Sequence, residues 1–143
     1  IVVQTTEDIR TSNYQVTDQK QLLEEDRRPK KAPKIFRDDC QINWSQSPHT
    51  IYNFIRGLSP YPAAWTRLKN DREITLKIYR AGIEKNQHGL SPGSIDSDQK
   101  SYMKVAVKDG FVVLEEIQQQ GKKKMTVTEF LKGFPNITDY HCE

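Results

Sequence analysis

The sequence predicts a mainly β chain: an antiparallel barrel with one helix before the strands and a short helix near the C-terminus. Three observations carry this expectation. Apolar residues alternate with polar ones in REITLKIYRAGI (72–83) and SYMKVAVKDGFVVLEEIQQQ (101–120), which is the period of half-buried strands. The second segment contains Asp109-Gly110, a favoured two-residue hairpin turn. In SPHTIYNFIRGL (47–58) the apolar residues instead recur at helical spacing.

Taken in order, IVVQTTEDIRTSN (1–13) reads as a short helix with Ile1, Val2 and Ile9 near one face and Asn13 as its stop. A helix of this length is marginal alone in water and needs a body to pack on. YQVTD (14–18) alternates like a short strand. Residues 20–39 are charged, carry Pro29 and Pro33 and have few apolar anchors, so they read as an extended connector. The compact domain is expected over 40–143, after a terminal helix and strand over 1–19.

In the helix over 47–58, Ser47 is the N-cap and Pro48 stands at the first helical position, where its missing N–H is no loss. Ile51, Phe54, Ile55 and Leu58 form its apolar stripe, and Pro60 and Pro62 end it. Trp44 is expected near the start of this helix. LSPYPAAWT (58–66) follows as a stiff corner, with Trp65 expected to be a packing plug rather than a stacking platform. Ile74, Leu76 and Ile78 then alternate against Thr75, Lys77 and Tyr79 in the first long strand, and 84–98 reads as a polar loop ending near the turn pair Pro92-Gly93. Met103, Val105 and Val107 lead into the hairpin. Thr126-x-x-Glu129 is a capping box opening a helix that Gly133 ends. The tail FPNITDYHCE shows no period. The oligonucleotide/oligosaccharide-binding (OB) barrel is one fold of this shape; a simple open sheet backed by two helices is the alternative.

Length and composition bound the function. The 143 residues suffice for one domain and an arm. A mean hydropathy of −0.79 marks a polar but foldable composition. No apolar run is long enough to span a membrane and no positively charged segment precedes a short hydrophobic run, so neither a membrane span nor a signal peptide is expected. Cys40 and Cys142 form neither a disulfide framework nor a zinc site, so a reducing cytoplasm is expected. The histidines, His49, His88 and His141, lack metal-ligand spacing, and no nucleophile elbow, P-loop or dinucleotide fingerprint occurs. Glu115 and Glu116, as strand neighbours, are expected on opposite faces and so unable to share a substrate. No catalytic, cofactor or metal residue is therefore assigned.

Charge distribution points elsewhere. RRPKKAPKIFR holds Arg27, Arg28, Lys30, Lys31, Lys34 and Arg37 with no acidic residue, and Lys122, Lys123 and Lys124 follow Gly121. Such runs are either solvated or phosphate-neutralising, and these nine residues are the candidate nucleic-acid contacts.

DDCQINWSQSPHTIYNFIRGLSPYPAAWT (38–66), with Ile42, Trp44, Ile51, Ile55, Arg56, Pro60, Pro62, Ala64 and Thr66 at their spacing, resembles the start of the C-terminal domain of the methionyl-tRNA formyltransferases. LKIYRA, SPGSI, VAVKDGFVVLEEIQQQGKKKM and TEFLKG continue the likeness in order, APKI resembles the end of the family's linker, and VVQTTEDIRTSN resembles the closing helix of its catalytic domain. The resemblance implies an OB-like barrel that holds initiator tRNA while a separate Rossmann-like N-terminal domain transfers a formyl group from 10-formyltetrahydrofolate to the methionyl amine. Nothing here matches that domain's Asn, His and Asp, so the chain is expected to be a fragment inactive alone, cytoplasmic and monomeric, with tRNA and the N-terminal domain as partners. Lys34, Arg37 and Lys122 to Lys124 are then the leading tRNA contacts. The same pattern occurs in nucleotide-sugar formyltransferases and formyltetrahydrofolate hydrolase-type proteins, which remain the alternatives together with a free-standing nucleic-acid-binding barrel.

Overall fold

The computed structural model describes residues 1–16, 18 and 31–143. The chain forms two compact units, Ile1–Lys34 and Ile35–Glu143. In the first, α1 (Val2–Arg10) buries none of its side chains, and Ile1, Val2, Val3 and Ile9 are exposed. Its polar face is tied internally by the Glu7–Arg10 ion pair and by the Thr6 hydroxyl donating to the Val2 carbonyl at 2.8 Å. The helix stops at Thr11 rather than at Asn13. The strand expected in YQVTD is not formed among its described residues; nothing there supplies the second strand that alternation alone requires.

The second unit is a nearly closed antiparallel barrel. Its strands are β1 (Ala64–Lys69), β2 (Glu73–Glu84), β3 (Ile95–Ser97), β4 (Met103–Val107), β5 (Gly110–Gln119), β6 (Met125–Thr126) and β7 (His141–Cys142). The sheet order is β3-β4-β5-β2-β1-β7, with β6 on β5. A bridge between Ser94 and His141, and the Cys142 N–H donating to the Gly93 carbonyl at 2.9 Å, bring the two ends of that order together. Inside lie Ala64, Thr66, Leu68, Leu76, Ile78, Met103, Val105, Val112, Leu114, Ile117, Ile137 and Cys142.

The helix α2 (Pro48–Leu58) starts as its sequence dictates: the Ser47 hydroxyl accepts the Thr50 N–H at 3.3 Å and Pro48 occupies the first turn. Ile51, Ile55 and Leu58 are buried. Trp44 is held by its indole N–H donating to Thr66 Oγ1 at 2.9 Å. Thr66, the buried polar residue of the barrel interior, passes its own proton to the Glu143 carbonyl at 2.9 Å, so this buried hydroxyl is satisfied.

Several expectations are corrected. The polar loop read over 84–98 contains β3, which pairs with β4 from Ile95–Val105 to Ser97–Met103. The hairpin turn is Lys108-Asp109, because Gly110 already pairs with Val107. Gly110 is required for another reason: a Cβ there would stand 2.4 Å from the Glu84 carbonyl oxygen. The periodless tail supplies a 3-10 turn (Ile137–Asp139) and β7. Finally, Tyr79 and Glu115 are each skipped in the β2–β5 ladder, where Arg80 pairs with Glu116 but Ala81 pairs with Leu114. These bulges separate the inward residues Leu114 and Ile117 by three positions, so Glu115 and Glu116 both lie near Arg80 rather than on opposite faces.

The capping box forms as read. Thr126 Oγ1 accepts the Glu129 N–H at 3.3 Å and Glu129 Oε2 accepts the Thr126 N–H at 2.9 Å, opening α3 (Val127–Lys132). Replacing Thr126 with Ala is expected to lower stability by about 1 kcal/mol, read as a reduced urea midpoint with unchanged m. The Thr126 N–H and hydroxyl hold the Glu129 carboxyl below its ordinary range. Its contribution is therefore complete above the ordinary carboxylate pKa and is lost as pH falls through the lowered one.

Candidate nucleic-acid interface

The outer face of the barrel follows from strand alternation. Ala64, Thr66 and Leu68 of β1 point inward, so Trp65, Arg67 and Lys69 point outward. Trp65 pairs with Lys77 of β2 and Arg67 with Thr75, while Lys77 pairs onward with Gln118 of β5. A row of cationic and hydrogen-bonding side chains thus crosses three strands.

The segment before α2 covers part of that row. The Phe36 N–H donates to Asp39 Oδ2 at 2.8 Å, shaping a turn into a 3-10 helix (Asp38–Cys40). The Arg37 carbonyl accepts the Trp65 indole N–H at 2.8 Å, and the Ile42 N–H donates to the Trp65 carbonyl at 2.9 Å. Trp65 is consequently 4 % exposed although it sits on the outer face. The guanidinium carbons of Arg37 and Arg67 stand 5.4 and 5.5 Å from the Trp65 ring centroid. The corner that looked uniform in sequence is divided: Trp65 is a plug, as expected, while Tyr61 is 87 % exposed.

Beside this lid lies a cleft of about 350 Å³ lined by Arg37, Thr75, Lys77, Gln118, Gln120 and Gly121. The 121–124 turn borders it. Lys122 N–H donates to the Gln119 carbonyl at 2.9 Å, and the Gln118 amide donates to the Lys122 carbonyl at 2.8 Å. Lys122 and Lys123 are exposed, and among the described residues neither they nor Lys77 nor Arg37 has a carboxylate within ion-pair distance. Lys124 differs: Glu116 holds it at 2.8 Å and it lies 5.0 Å above the Tyr79 ring. Arg67 faces Glu73 at 3.5 Å and Lys69 faces Glu143 at 3.3 Å. The charge that remains for an external anion is thus centred on Arg37, Lys77, Lys122 and Lys123, with Thr75, Gln118 and Gln120 as neutral polar partners. This is the equipment for phosphate and sugar contacts.

Of the remaining sequence candidates, Lys31 and Lys34 are exposed in the other unit. Arg27, Arg28 and Lys30 lie outside the described residues. Lys77, Thr75, Gln118 and Gln120 were not among the candidates, although Thr75 and Lys77 were legible as the polar half of the alternating strand. A charge-run criterion overlooks cations that are adjacent in space through strand pairing and not in sequence.

The other reactive side chains are occupied structurally. His88 Nε2 lies 2.8 Å from the Gly110 carbonyl oxygen and its ring stands 4.3 Å from that of Phe111. His49 is exposed in the first turn of α2. Cys40 and Cys142 are buried free thiols, both pushed up in pKa by burial, which disfavours the nucleophilic thiolate. Among the described residues no cluster of His, Cys, Asp and Glu is placed to hold a metal ion. No helix among them is long and apolar enough to cross a membrane.

Residues 34–135 match the family described as formyl transferase, C-terminal domain. The chain is similar to a methionyl-tRNA formyltransferase of Parabacteroides distasonis, 52 % identical over 111 residues, covering 76 % of this chain and 34 % of that protein. It is similar to proteins of the same name from Phocaeicola vulgatus, 41 % identical over 94 % of this chain and 42 % of the relative, and from Azobacteroides pseudotrichonymphae, 42 % identical over 99 % and 44 %. The matched chain therefore spans between a third and a half of the length of these relatives.

Proposed function

Because this chain belongs to the formyl transferase C-terminal domain family, we propose that it is the tRNA-holding part of a methionyl-tRNA formyltransferase. The observation that carries this reading is the outer barrel face on which Arg37, Lys77, Lys122 and Lys123 surround or border a cleft and, among the described residues, have no carboxylate within ion-pair distance. A rigid sheet fixes Lys77, and the Trp65 hydrogen bond fixes the backbone at Arg37. The cations then meet a phosphate backbone in a set register instead of as a loose tail. Such contacts release counterions, so affinity falls steeply with salt.

On this reading the formyl transfer from 10-formyltetrahydrofolate to the amine of methionyl initiator tRNA takes place on a partner domain, in the cytoplasm. The barrel contributes binding and orientation, which lower the entropic part of the barrier. Residues 1–19 belong to that catalytic domain, and Arg27, Arg28, Lys30, Lys31, Lys34 and Arg37 are further candidate tRNA contacts.

The test is the salt dependence of initiator tRNA binding to this chain. The Lys77→Ala/Lys122→Ala/Lys123→Ala variant is expected to flatten the log K against log salt slope by about 0.7–0.9 for each phosphate that is no longer neutralised. Lys124→Ala is expected to change it less, because Glu116 already neutralises that ammonium. An unaltered slope in the triple variant removes this face from the interface. The chain alone is expected to bind tRNA without formylating it; turnover would overturn the division of labour.

A further inference from the structure

A second cavity, of about 230 Å³, opens between α2 and the bulged stretch of β2. Its floor is apolar, formed by Ile55 and Ala81, 1 % and 6 % exposed. Its walls carry the half-buried rings of Tyr52 and Tyr79. At its mouth stand Arg56 and Arg80. Arg80 is engaged by Glu115, whereas Arg56 donates to the neutral Asn53 side-chain oxygen at 3.3 Å and, among the described residues, has no carboxylate within ion-pair distance. The cavity exists because of the bulge. Tyr79 is the residue skipped in the β2–β5 ladder, so its ring and Arg80 are re-aimed towards α2.

One hydrogen bond links the lining of this cavity to that of the basic cleft. The Tyr79 hydroxyl donates to Gln118 Oε1 at 2.6 Å, and Gln118 lines that cleft. Lys124 rests over the Tyr79 ring from the same side of the sheet. Gln118 of the cleft and Tyr79 of the cavity are thus direct neighbours across the β2–β5 ladder.

We infer that this cavity is a subsite for one unpaired, unstacked nucleobase of the bound RNA, with the phosphate of that nucleotide on Arg56. The inference rests on the tRNA-holding reading above and deepens it. A cavity smaller than the roughly 300 Å³ of sites that enclose whole small molecules suits a single planar base. Unpaired RNA bases are taken up by stacking on aromatic rings, with a guanidinium at the adjoining phosphate. Base-paired RNA cannot offer a base to this cavity, so the subsite selects loops over helices.

The experiment compares an unstructured RNA of about 12 nucleotides with a duplex of equal length, by fluorescence anisotropy against wild type, Tyr52→Leu and Arg56→Gln. Tyr52→Leu is expected to weaken the single strand about ten-fold, leave the duplex within about two-fold, and leave the salt slope unaltered. Arg56→Gln is expected to weaken the single strand and reduce its slope by about 0.7. A 2-aminopurine placed in the single strand should lose fluorescence on wild type and keep it on Tyr52→Leu. Equal losses on both RNAs, no loss, or unquenched 2-aminopurine on wild type would overturn the subsite. If wild type binds initiator tRNA while any of these occurs, the tRNA-holding reading stands and only the subsite falls. If wild type binds no RNA, both fall.

Discussion

Replacing Trp65 with Ala is expected to destabilise the barrel by about 3–5 kcal/mol, the range for a large aromatic removed from a packed site. The ring lies on the outside of β1, yet the chain from Arg37 to Ile42 is laid over it and leaves it 4 % exposed. Three kinds of interaction end with the ring. Its buried apolar surface is the largest. Its indole N–H satisfies the Arg37 carbonyl, a hydrogen bond with a net contribution of about 1 kcal/mol. The Arg37 and Arg67 guanidinium groups over its face add about 0.5–1 kcal/mol each at an exposed site. Against a typical total of about 5–15 kcal/mol, the loss leaves a marginal domain. Trp65→Phe separates the terms: it keeps a ring and discards the N–H, so a loss of about 1–2 kcal/mol is expected. Urea unfolding measures both. On the proposed tRNA-holding reading, Trp65→Phe should also weaken tRNA binding much as Arg37→Ala does, because the freed 37–42 segment no longer fixes Arg37. A Trp65→Ala midpoint equal to wild type would show that the lid does not depend on this ring.

What could be read from the sequence, and what could not, divides along sequence separation. Ser47-Pro48 and Thr126-x-x-Glu129 each settle a helix start within a few residues, and both helices begin there. Leu76 and Ile78 announce β2 because they are buried between exposed or half-buried neighbours, and Met103 and Val105 announce β4 by flanking half-buried Lys104. The errors occur where a distant partner decides. Asp109-Gly110 is a favoured turn in isolation, but Gly110 pairs with Val107 as a strand residue, and the close Glu84 carbonyl oxygen leaves no room there for a side chain. His141 and Cys142 are too few to show a period, and only β1 and Ser94 make them a strand. The site was legible to the same degree. Lysines adjacent in sequence at 122–124 stood out, whereas Lys77 joins Arg37 and Gln118 only after β2 has paired with β1 and β5. The double bulge at Tyr79 and Glu115, which shapes the tyrosine cavity, leaves no local signature at all.

Gly93 shows how far a distant partner can determine one residue, and Gly93→Ala is expected to cost about 3 kcal/mol. By its sequence, Gly93 is needed only for a turn with Pro92. In the fold it is the seam of the barrel. Its N–H donates to the Ala106 carbonyl at 2.8 Å and its carbonyl accepts the Cys142 N–H at 2.9 Å, joining the β4 side to β7. Its φ of +94° lies where a side chain is strained, by roughly 1–2 kcal/mol. A Cβ would also stand 2.4 Å from the Cys142 carbonyl oxygen and 2.6 Å from the His141 ring. The imidazole can turn away; the β7 backbone cannot move without loosening the seam. Loss of the Cys142–Gly93 hydrogen bond, about 1 kcal/mol, and exposure of the buried Cys142 accompany that movement. The expected melting temperature falls by about 10–20 °C, and the Cys142 thiol becomes reactive towards a thiol reagent under native conditions. Gly57→Ala is the matching control. No atom lies within 4 Å of its added methyl, and its φ is ordinary for a helix, so a gain of up to about 1 kcal/mol is expected. A Gly93→Ala protein that melts with wild type and keeps Cys142 protected would mean that the ends of the sheet are not joined at this residue.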